Sequence, residues 1–98
     1  MGLRVEVVDD GTQGLRMLKQ YSFDMVILDL KMPGQSGMDV LKKIREEKPL
    51  VLVIVITGYA TEDSAREAMD EGAYDYLPKP FTPEELRTII KRAQEKKN

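Results

Sequence analysis

The stretch from Met25 to Asp29, Met-Val-Ile-Leu-Asp, decides the fold because it is wholly apolar until it stops at a carboxylate. A run of this kind is typical of a strand that is buried on both faces of a parallel sheet. The same reasoning predicts a strand at Met25–Leu28 that ends at Asp29, and further strands at Val5–Val8, Leu50–Ile56 and Ala73–Leu77.

Between these strands, apolar residues recur at helical spacing. The first two helices are predicted from Leu15 and Leu18, and from Met38, Leu41 and Ile44. The third is predicted to begin at Ser64, with a capping box to Glu67, and to end near Gly72. Its predicted buried face consists of Ala65, Ala68 and Met69.

The last helix has the clearest start signal. Thr82 is its predicted N-cap, Pro83 occupies the first helical position and Glu85 closes the capping box. Its apolar stripe is predicted at Leu86, Ile89, Ile90 and Ala93. Strands that alternate with helices in this way favour an α/β fold with a parallel sheet and helices on both of its faces, here with about four strands and four helices.

The composition excludes several classes of function. A chain of 98 residues, 42% of them hydrophobic, suffices for one core, so one domain is predicted over residues 1–98. Without cysteine or histidine, disulfides and zinc chemistry are excluded in practice, and a reducing compartment fits. No apolar run is long enough to cross a bilayer, which favours the cytoplasm. The net charge of -2 gives no general attraction to nucleic acid.

Three polar residues fall where predicted strands end, namely Asp29, Thr57 and Lys79. Because the carboxyl ends of parallel strands share one edge of the sheet, these side chains are expected to meet there. A carboxylate nucleophile with an ammonium and a hydroxyl group beside it suits the handling of a phosphoryl group. Each residue also has an ordinary structural interpretation, as a turn or cap residue, a strand-end hydroxyl or a solvated lysine.

Three motifs carry a resemblance to a known family: Asp-Leu-Lys-Met-Pro-Gly at 29–34, Ile-Thr-Gly-Tyr-Ala at 56–60 and Gly-Ala-Tyr-Asp-Tyr-Leu-Pro-Lys-Pro-Phe at 72–81. Together and in this order they resemble the phosphoacceptor receiver domains of two-component response regulators. The resemblance runs from about Gly2 to the C-terminus. It implies the flavodoxin-like, CheY-like fold and a signalling domain whose only chemistry is its own phosphotransfer and dephosphorylation.

The resemblance also implies roles for single residues. Asp29 would accept a phosphoryl group from a sensor histidine kinase or a phosphotransfer protein, Thr57 would bind a phosphoryl oxygen and Lys79 would pair with the phosphate. Tyr76 matches the switch aromatic. Its ordinary interpretation is a half-buried aromatic at a sheet edge, a role that Tyr59 or Tyr74 could fill as well. The Lys79–Pro80 bond is expected to be cis. Asp29 and the backbone carbonyl of Lys31 are expected to be ligands of Mg²⁺.

One part of the family pattern is missing from the sequence. Only eighteen residues, 11 to 28, separate Asp10 from Asp29, which is too few for the helix, strand and helix that the family places there. Aligned without a gap, Gly2–Leu15 matches the family's second strand and the helix after it. The first strand, which ends in the acidic pair that holds Mg²⁺, and the first helix are then absent, and the presence of Mg²⁺ is in doubt.

The absent strand is the central one in the flavodoxin-like order 2-1-3-4-5, so its loss would expose unpaired strand edges. Two arrangements would repair the sheet by pairing these edges. Either Val5–Val8 moves in beside Met25–Leu28, or another copy of the chain supplies the missing neighbour. In the first case Asp9 and Asp10 would stand near Asp29 and could imitate the lost acidic pair. By default they form a solvated turn before Gly11.

Three functions remain open. The first is a phosphorylation switch that changes a partner-binding surface, and the second is a phosphorylation-independent interaction or assembly module on a shortened receiver fold. The third is a metal-dependent phosphatase or transferase with Asp29 as nucleophile, for which the sequence offers no additional general base.

Overall fold

The computed structural model of the protein describes residues 4–31, 36–58 and 60–97 and contains four strands and four helices in alternation. Residues 32–35 of the first motif and Tyr59 of the second lie outside the described residues. The strands are β1 (Val5–Val8), β2 (Met25–Asp29), β3 (Leu52–Thr57) and β4 (Asp75–Pro78), and the helices are α1 (Gly11–Gln20), α2 (Gly37–Glu47), α3 (Glu62–Asp70) and α4 (Pro83–Lys97). The predicted α/β class is confirmed.

The four strands form one parallel sheet in the order β1-β2-β3-β4. Val8 of β1 pairs with Leu28, and Asp29 of β2 pairs with Ile56. On the other side of β3, Thr57 pairs with Pro78 of β4. The chain therefore has the first of the two predicted repairs, with Val5–Val8 directly beside Met25–Asp29.

Alternate residues of the sheet supply two cores. Val26 and Leu28 of β2 point to the face covered by α1, α2 and α3, where they pack with residues such as Leu18 and Leu41. Met25 and Ile27 point to the opposite face, which is covered by α4. The four apolar residues of β2 are buried because β2 is covered on both faces, and this explains the continuous apolar run. No helix in the described ranges is long and apolar enough to cross a membrane.

The capping signal of α4 is present as predicted. The backbone N–H of Glu85 donates to Oγ1 of Thr82 at 3.1 Å, and the backbone N–H of Thr82 donates to a carboxylate oxygen of Glu85 at 3.1 Å. Ile89 and Ala93 are buried, with Leu86 and Ile90 packed beside them. This reciprocal cap sets the start of α4, whose apolar stripe lies on the sheet.

The predicted start of α3 is wrong. The N-cap is Thr61, whose side chain accepts from the backbone N–H of Ser64, and Ser64 is the N3 partner that closes the box. The helix therefore begins at Glu62, and Met69 is turned away from the core with 47% of its surface exposed. The predicted end is confirmed, because Gly72 follows the helix with a positive φ of 99°.

Two strands begin later than predicted. The backbone N–H of Val51 donates to the carbonyl of Lys48 at 3.0 Å, so the chain is still in a turn at Leu50, and β3 starts at Leu52. Leu50 is 81% exposed although it belongs to the apolar run. The last strand covers Asp75–Pro78 instead of Ala73–Leu77, because the backbone N–H of Ala73 still bonds to Ala68 at the end of α3.

Candidate functional site

Asp29 is the last residue of β2, and both of its carboxylate oxygens have partners. Oδ1 accepts from the backbone N–H of Lys31 at 2.9 Å, and Oδ2 accepts from the ammonium of Lys79 at 2.6 Å. The side chain of Asp29 is 16% exposed and that of Lys79 is 41% exposed. The carboxylate is thus held in place by two donors and still reaches the surface.

Lys79 is positioned by the neighbouring strand. It directly follows β4, and its backbone N–H donates to the carbonyl of Thr57 at 2.8 Å, which extends the β3–β4 pairing by one bond. The Lys79–Pro80 peptide bond is cis, as predicted. The lysine stem therefore starts from a defined point at the carboxyl edge of the sheet and reaches past β3 to Asp29.

Thr57 is the last residue of β3, the strand between Asp29 and Lys79. It is 1% exposed, and no buried side-chain polar atom in the described part of the chain lacks a hydrogen-bond partner. Just before it, the carbonyl of Ile56 accepts from the backbone N–H of Leu30 at 3.0 Å, which ties the start of the loop after Asp29 to β3. The structure thus brings the three predicted site residues to the ends of three neighbouring strands.

Tyr76 lies in β4, half-buried against the core that α1, α2 and α3 cover. Its hydroxyl is 2.7 Å from Oγ of Ser64, the residue that also closes the capping box of α3. This contact was not predicted from the sequence, because Ser64 was assigned to the N-cap. Thr61, three residues earlier, was the signal that could have placed Ser64 at N3, on the side of the helix that faces the sheet.

Asp9 and Asp10 follow β1 at the same edge of the sheet as Asp29. Oδ1 of Asp10 accepts from the backbone N–H of Gln13 at 3.0 Å and thereby caps α1, and Asp9 is exposed. Within residues 4–31, 36–58 and 60–97, no three acidic side chains are grouped so that they could hold a metal ion. A ligand role of Asp9 and Asp10 stays a prediction.

Comparison with known proteins identifies the family. A family model described as the response regulator receiver domain matches residues 1–91. The chain therefore belongs to the receiver domains of response regulators, which are signalling domains of two-component systems. The resemblance carried by the three motifs is confirmed. The comparisons do not favour the alternative of a phosphorylation-independent assembly module.

The chain is similar to individual members of this family. It is 36% identical over 92 residues to the DNA-binding transcriptional regulator NtrC of Escherichia coli strain K12, a match that covers 94% of the chain and 20% of NtrC. The chain thus spans about a fifth of the length of the curated relatives that it matches.

Solved structures agree with the fold. The BeF3-activated receiver domain of DrrB superimposes with a TM-score of 0.89 at 28% identity, covering 97% of this chain and 99% of that one. A response regulator receiver domain from Clostridium thermocellum superimposes with a TM-score of 0.89 at 34% identity, covering 98% of this chain and 97% of that one. The CheY-like fold is therefore confirmed for this chain, whose described residues form four strands and four helices.

Proposed function

We propose that Asp29 is the phosphoacceptor of this receiver domain. The contact of 2.6 Å between its Oδ2 and the ammonium of Lys79 is the observation that carries the proposal. It joins a surface-reaching carboxylate to a fixed cation at the sheet edge where ligands of such folds bind. The donor would be a phosphohistidine of a sensor histidine kinase or of a phosphotransfer protein.

The chemistry follows from the charges. A carboxylate oxygen of Asp29 attacks phosphorus, the P–N bond to the donor imidazole breaks and an acyl phosphate forms on Asp29. The ammonium of Lys79 offsets negative charge on the transferring oxygens, and we assign the same task to the hydroxyl of Thr57. Because the ammonium of Lys79 already contacts Asp29 before transfer, it needs little reorganisation during the reaction.

Receiver domains generally bind Mg²⁺ at the phosphorylation site. Here the groups available for that task would be Asp29 and the backbone carbonyl of Lys31, with Asp9 and Asp10 as further acids at the same edge. Mg²⁺ is commonly held by one or two carboxylates together with water, so a set of this size would suffice.

The domain would pass on its signal through a change in the surface formed by α3 and α4. We assign Tyr76 to the switch, because its ring lies between the core and Ser64 at the start of α3. Tyr76 also belongs to β4, the strand that pairs with β3 and Thr57. When Thr57 turns toward a phosphoryl group, space opens that the ring can enter, and the faces of α3 and α4 then change their affinity for a partner. The only chemistry that we assign to the domain is its own phosphotransfer and dephosphorylation.

We also assign residues 1–98 to one domain that acts in the cytoplasm. A net charge of -2 supports a protein partner in preference to direct binding of nucleic acid. NtrC is a DNA-binding regulator, but the part of it that this chain matches is a fifth of its length. Any DNA-directed output would then act through other parts of such a protein.

Intact-mass spectrometry after incubation with acetyl phosphate tests the proposal, with and without Mg²⁺. The native chain is expected to gain one labile phosphoryl group, and Asp29→Asn is expected to gain none. Asp39→Asn is the matched control, since Asp39 is an exposed acid in the first turn of α2 and should leave the adduct unchanged. An adduct on Asp29→Asn, or none on the native chain in either condition, would overturn the proposal.

A further inference from the structure

A cavity of about 680 Å³ lies at the amino-terminal edge of the sheet, at the opposite end of the strands from Asp29. Leu52, the first residue of β3, and Tyr74, the residue before β4, line it, and the last turns of α2 and α4 add Arg45 and Lys96. Sites for small molecules usually have volumes of about 300–1,000 Å³. The cavity is therefore large enough for a ligand, and it is separate from the phosphoacceptor site.

Apolar side chains of the lining are left open to solvent. Leu50 is 81% exposed, because the turn in which the N–H of Val51 donates to Lys48 takes it out of β3. Leu52 and Tyr74 are only half-buried. Covering such side chains removes apolar surface from water and is favourable. The lining is thus suited to a ligand with an apolar or aromatic body.

The charge of the lining is positive. Arg45 and Lys96 line the cavity, and no acidic side chain of the described residues does. No salt bridge in the described part of the chain involves either cation. The ammonium of Lys96 lies 5.9 Å from the centre of the Tyr74 ring, which keeps it beside the apolar lining. In a chain of net charge -2, this local excess of positive charge favours an anionic group at this place.

The guanidinium of Arg45 is held in position by backbone. Its Nη1 donates to the carbonyl of Pro49 at 3.0 Å and to that of Val51 at 2.9 Å. On another side it packs against Gly72, where an added Cβ would lie 2.8 Å from Nε. The two bonds use both hydrogens of Nη1, and within the described ranges no hydrogen bond uses those of Nε and Nη2. A fixed cation with donors to spare suits the oxygen atoms of an anion.

We infer that this cavity binds a small organic anion. Its apolar or aromatic body packs against Leu50 and Tyr74, and its carboxylate or similar group pairs with Arg45 and Lys96. This site goes beyond the phosphoacceptor function and does not depend on it. A small molecule fits better than a protein partner, because a stable protein interface buries a surface of about 1,000 Å² or more and would extend well outside the cavity.

A pair of fluorescent dyes tests the two parts of the site. Anilinonaphthalene sulfonate joins aromatic rings to an anionic group and becomes fluorescent in apolar surroundings, and phenylnaphthylamine has the same rings without the charge. In fluorescence titrations, the native chain should bind the sulfonate saturably with a dissociation constant of about 10–100 µM. The uncharged dye should bind about tenfold more weakly, because it cannot pair with the cations.

Charge reversal at the cavity should affect only the charged dye. Lys96→Glu is expected to raise the dissociation constant of the sulfonate by about tenfold or more and to leave that of phenylnaphthylamine within about threefold. Lys91→Glu is the matched control, since it makes the same change of charge at an exposed residue of α4 that does not line the cavity. It should leave both constants within about threefold of native.

Shortening an apolar side chain of the lining should affect both dyes. Leu50→Ala is expected to raise both dissociation constants by about threefold or more, because less apolar surface is covered. Val7→Ala is the control, since Val7 is an exposed apolar residue of β1 and does not line the cavity. Circular dichroism of each variant checks that the fold is kept. In amide NMR spectra, the sulfonate should shift the signals of Gly72 and Ala73, which also line the cavity.

Three results would overturn the inference. The first is a native chain that shows no saturable binding of the sulfonate. The second is an equal loss of sulfonate binding in Lys96→Glu and Lys91→Glu, which would show attraction to general charge. The third is a set of NMR shifts at Val5 and Val7 with none at Gly72 and Ala73, which would place the dye on the exposed side chains of β1.

Discussion

The ammonium of Lys79 lies 2.6 Å from Oδ2 of Asp29, although the two residues are 50 positions apart in the sequence. They belong to the ends of β2 and β4, which are not neighbours, since β3 lies between them. The contact therefore depends on the register of the β2–β3 pair and on that of the β3–β4 pair. It is also the interaction on which the proposed phosphotransfer depends.

Replacing Lys79 should separate function from stability. Lys79→Gln is expected to lower the rate of phosphoryl adduct formation by about tenfold or more, because the charge that offsets the transferring oxygens is lost. The free energy of unfolding should change by less than about 1 kcal/mol, since the pair is partly exposed to water. Adduct mass as a function of time and urea denaturation are the two measurements. Lys79→Arg, which keeps the charge, should retain more of the rate, and equal rates for both variants would contradict the assigned role.

The meeting of Asp29 and Lys79 could be predicted because it follows from sheet geometry alone. Each residue lies at the end of a predicted strand, and the carboxyl ends of parallel strands lie at one edge whichever helices connect them. The cis bond before Pro80 and the fold itself came from motifs, whose specificity lies in their order and spacing. Propensity alone would have left Asp29 as an ordinary turn residue.

Ser64 and Tyr76 should be energetically coupled. Their side-chain oxygens are 2.7 Å apart, and Oγ of Ser64 also accepts from the backbone N–H of Thr61 at 3.1 Å. In a double-mutant cycle with Ser64→Ala and Tyr76→Phe, the coupling free energy of unfolding should be about 1 kcal/mol. A cycle of Ser64→Ala with Tyr74→Phe is the control and should give a coupling near zero. Coupling of equal size in both cycles would show that the hydrogen bond contributes nothing specific.

The first residues of α3 and β3 could not be predicted from the local sequence. Ser64 and Thr61 are both good N-cap residues, and the choice between them depends on which start lets Ala68 face the sheet, where it is fully buried. Leu50 belongs to an apolar run by composition, yet the turn after Lys48 removes it from the strand. Tertiary packing determines where α3 and β3 begin, and this packing cannot be deduced from the pattern of a single sequence.

The pairing of β1 was similarly left open. Its sequence resembles both a first strand with an acidic end and a second strand before a helix. Only the placement of Val8 opposite Leu28 shows which position the strand occupies. The acidic residues that follow it are near the site, but Asp10 is used as a helix cap.

Substitutions of Asp10 distinguish a cap from a metal ligand. Asp10→Ala should destabilise the chain by about 1 kcal/mol, because the bond from the Gln13 N–H to Oδ1 is lost. Asp10→Asn keeps an equally good N-cap and should change the free energy of unfolding by a few tenths of a kcal/mol at most. Urea denaturation with and without Mg²⁺ makes the comparison. A stabilisation by Mg²⁺ that disappears in Asp10→Asn would instead identify this carboxylate as a ligand.

Gly37 should tolerate substitution poorly because α2 begins close to the chain that follows β2. A Cβ at Gly37 would lie 2.4 Å from Cα of Leu30, the residue after Asp29, so backbone would have to move. Gly37→Ala is expected to cost about 1–3 kcal/mol in unfolding free energy and to reduce adduct formation. Gly58→Ala is the control, since its Cβ would meet nothing within 4 Å and the change should stay within about 1 kcal/mol. Similar losses for the two variants would mean that the contact with Leu30 is not the cause.

The most direct test of the phosphoacceptor is to locate the modified residue. Borohydride reduces an aspartyl phosphate to homoserine, so treating the chain after acetyl phosphate and sequencing its peptides by mass spectrometry marks the acceptor permanently. We expect homoserine at position 29, and only after phosphorylation. Homoserine at Asp9, Asp10 or another acid, or no reduced residue at all, would contradict it.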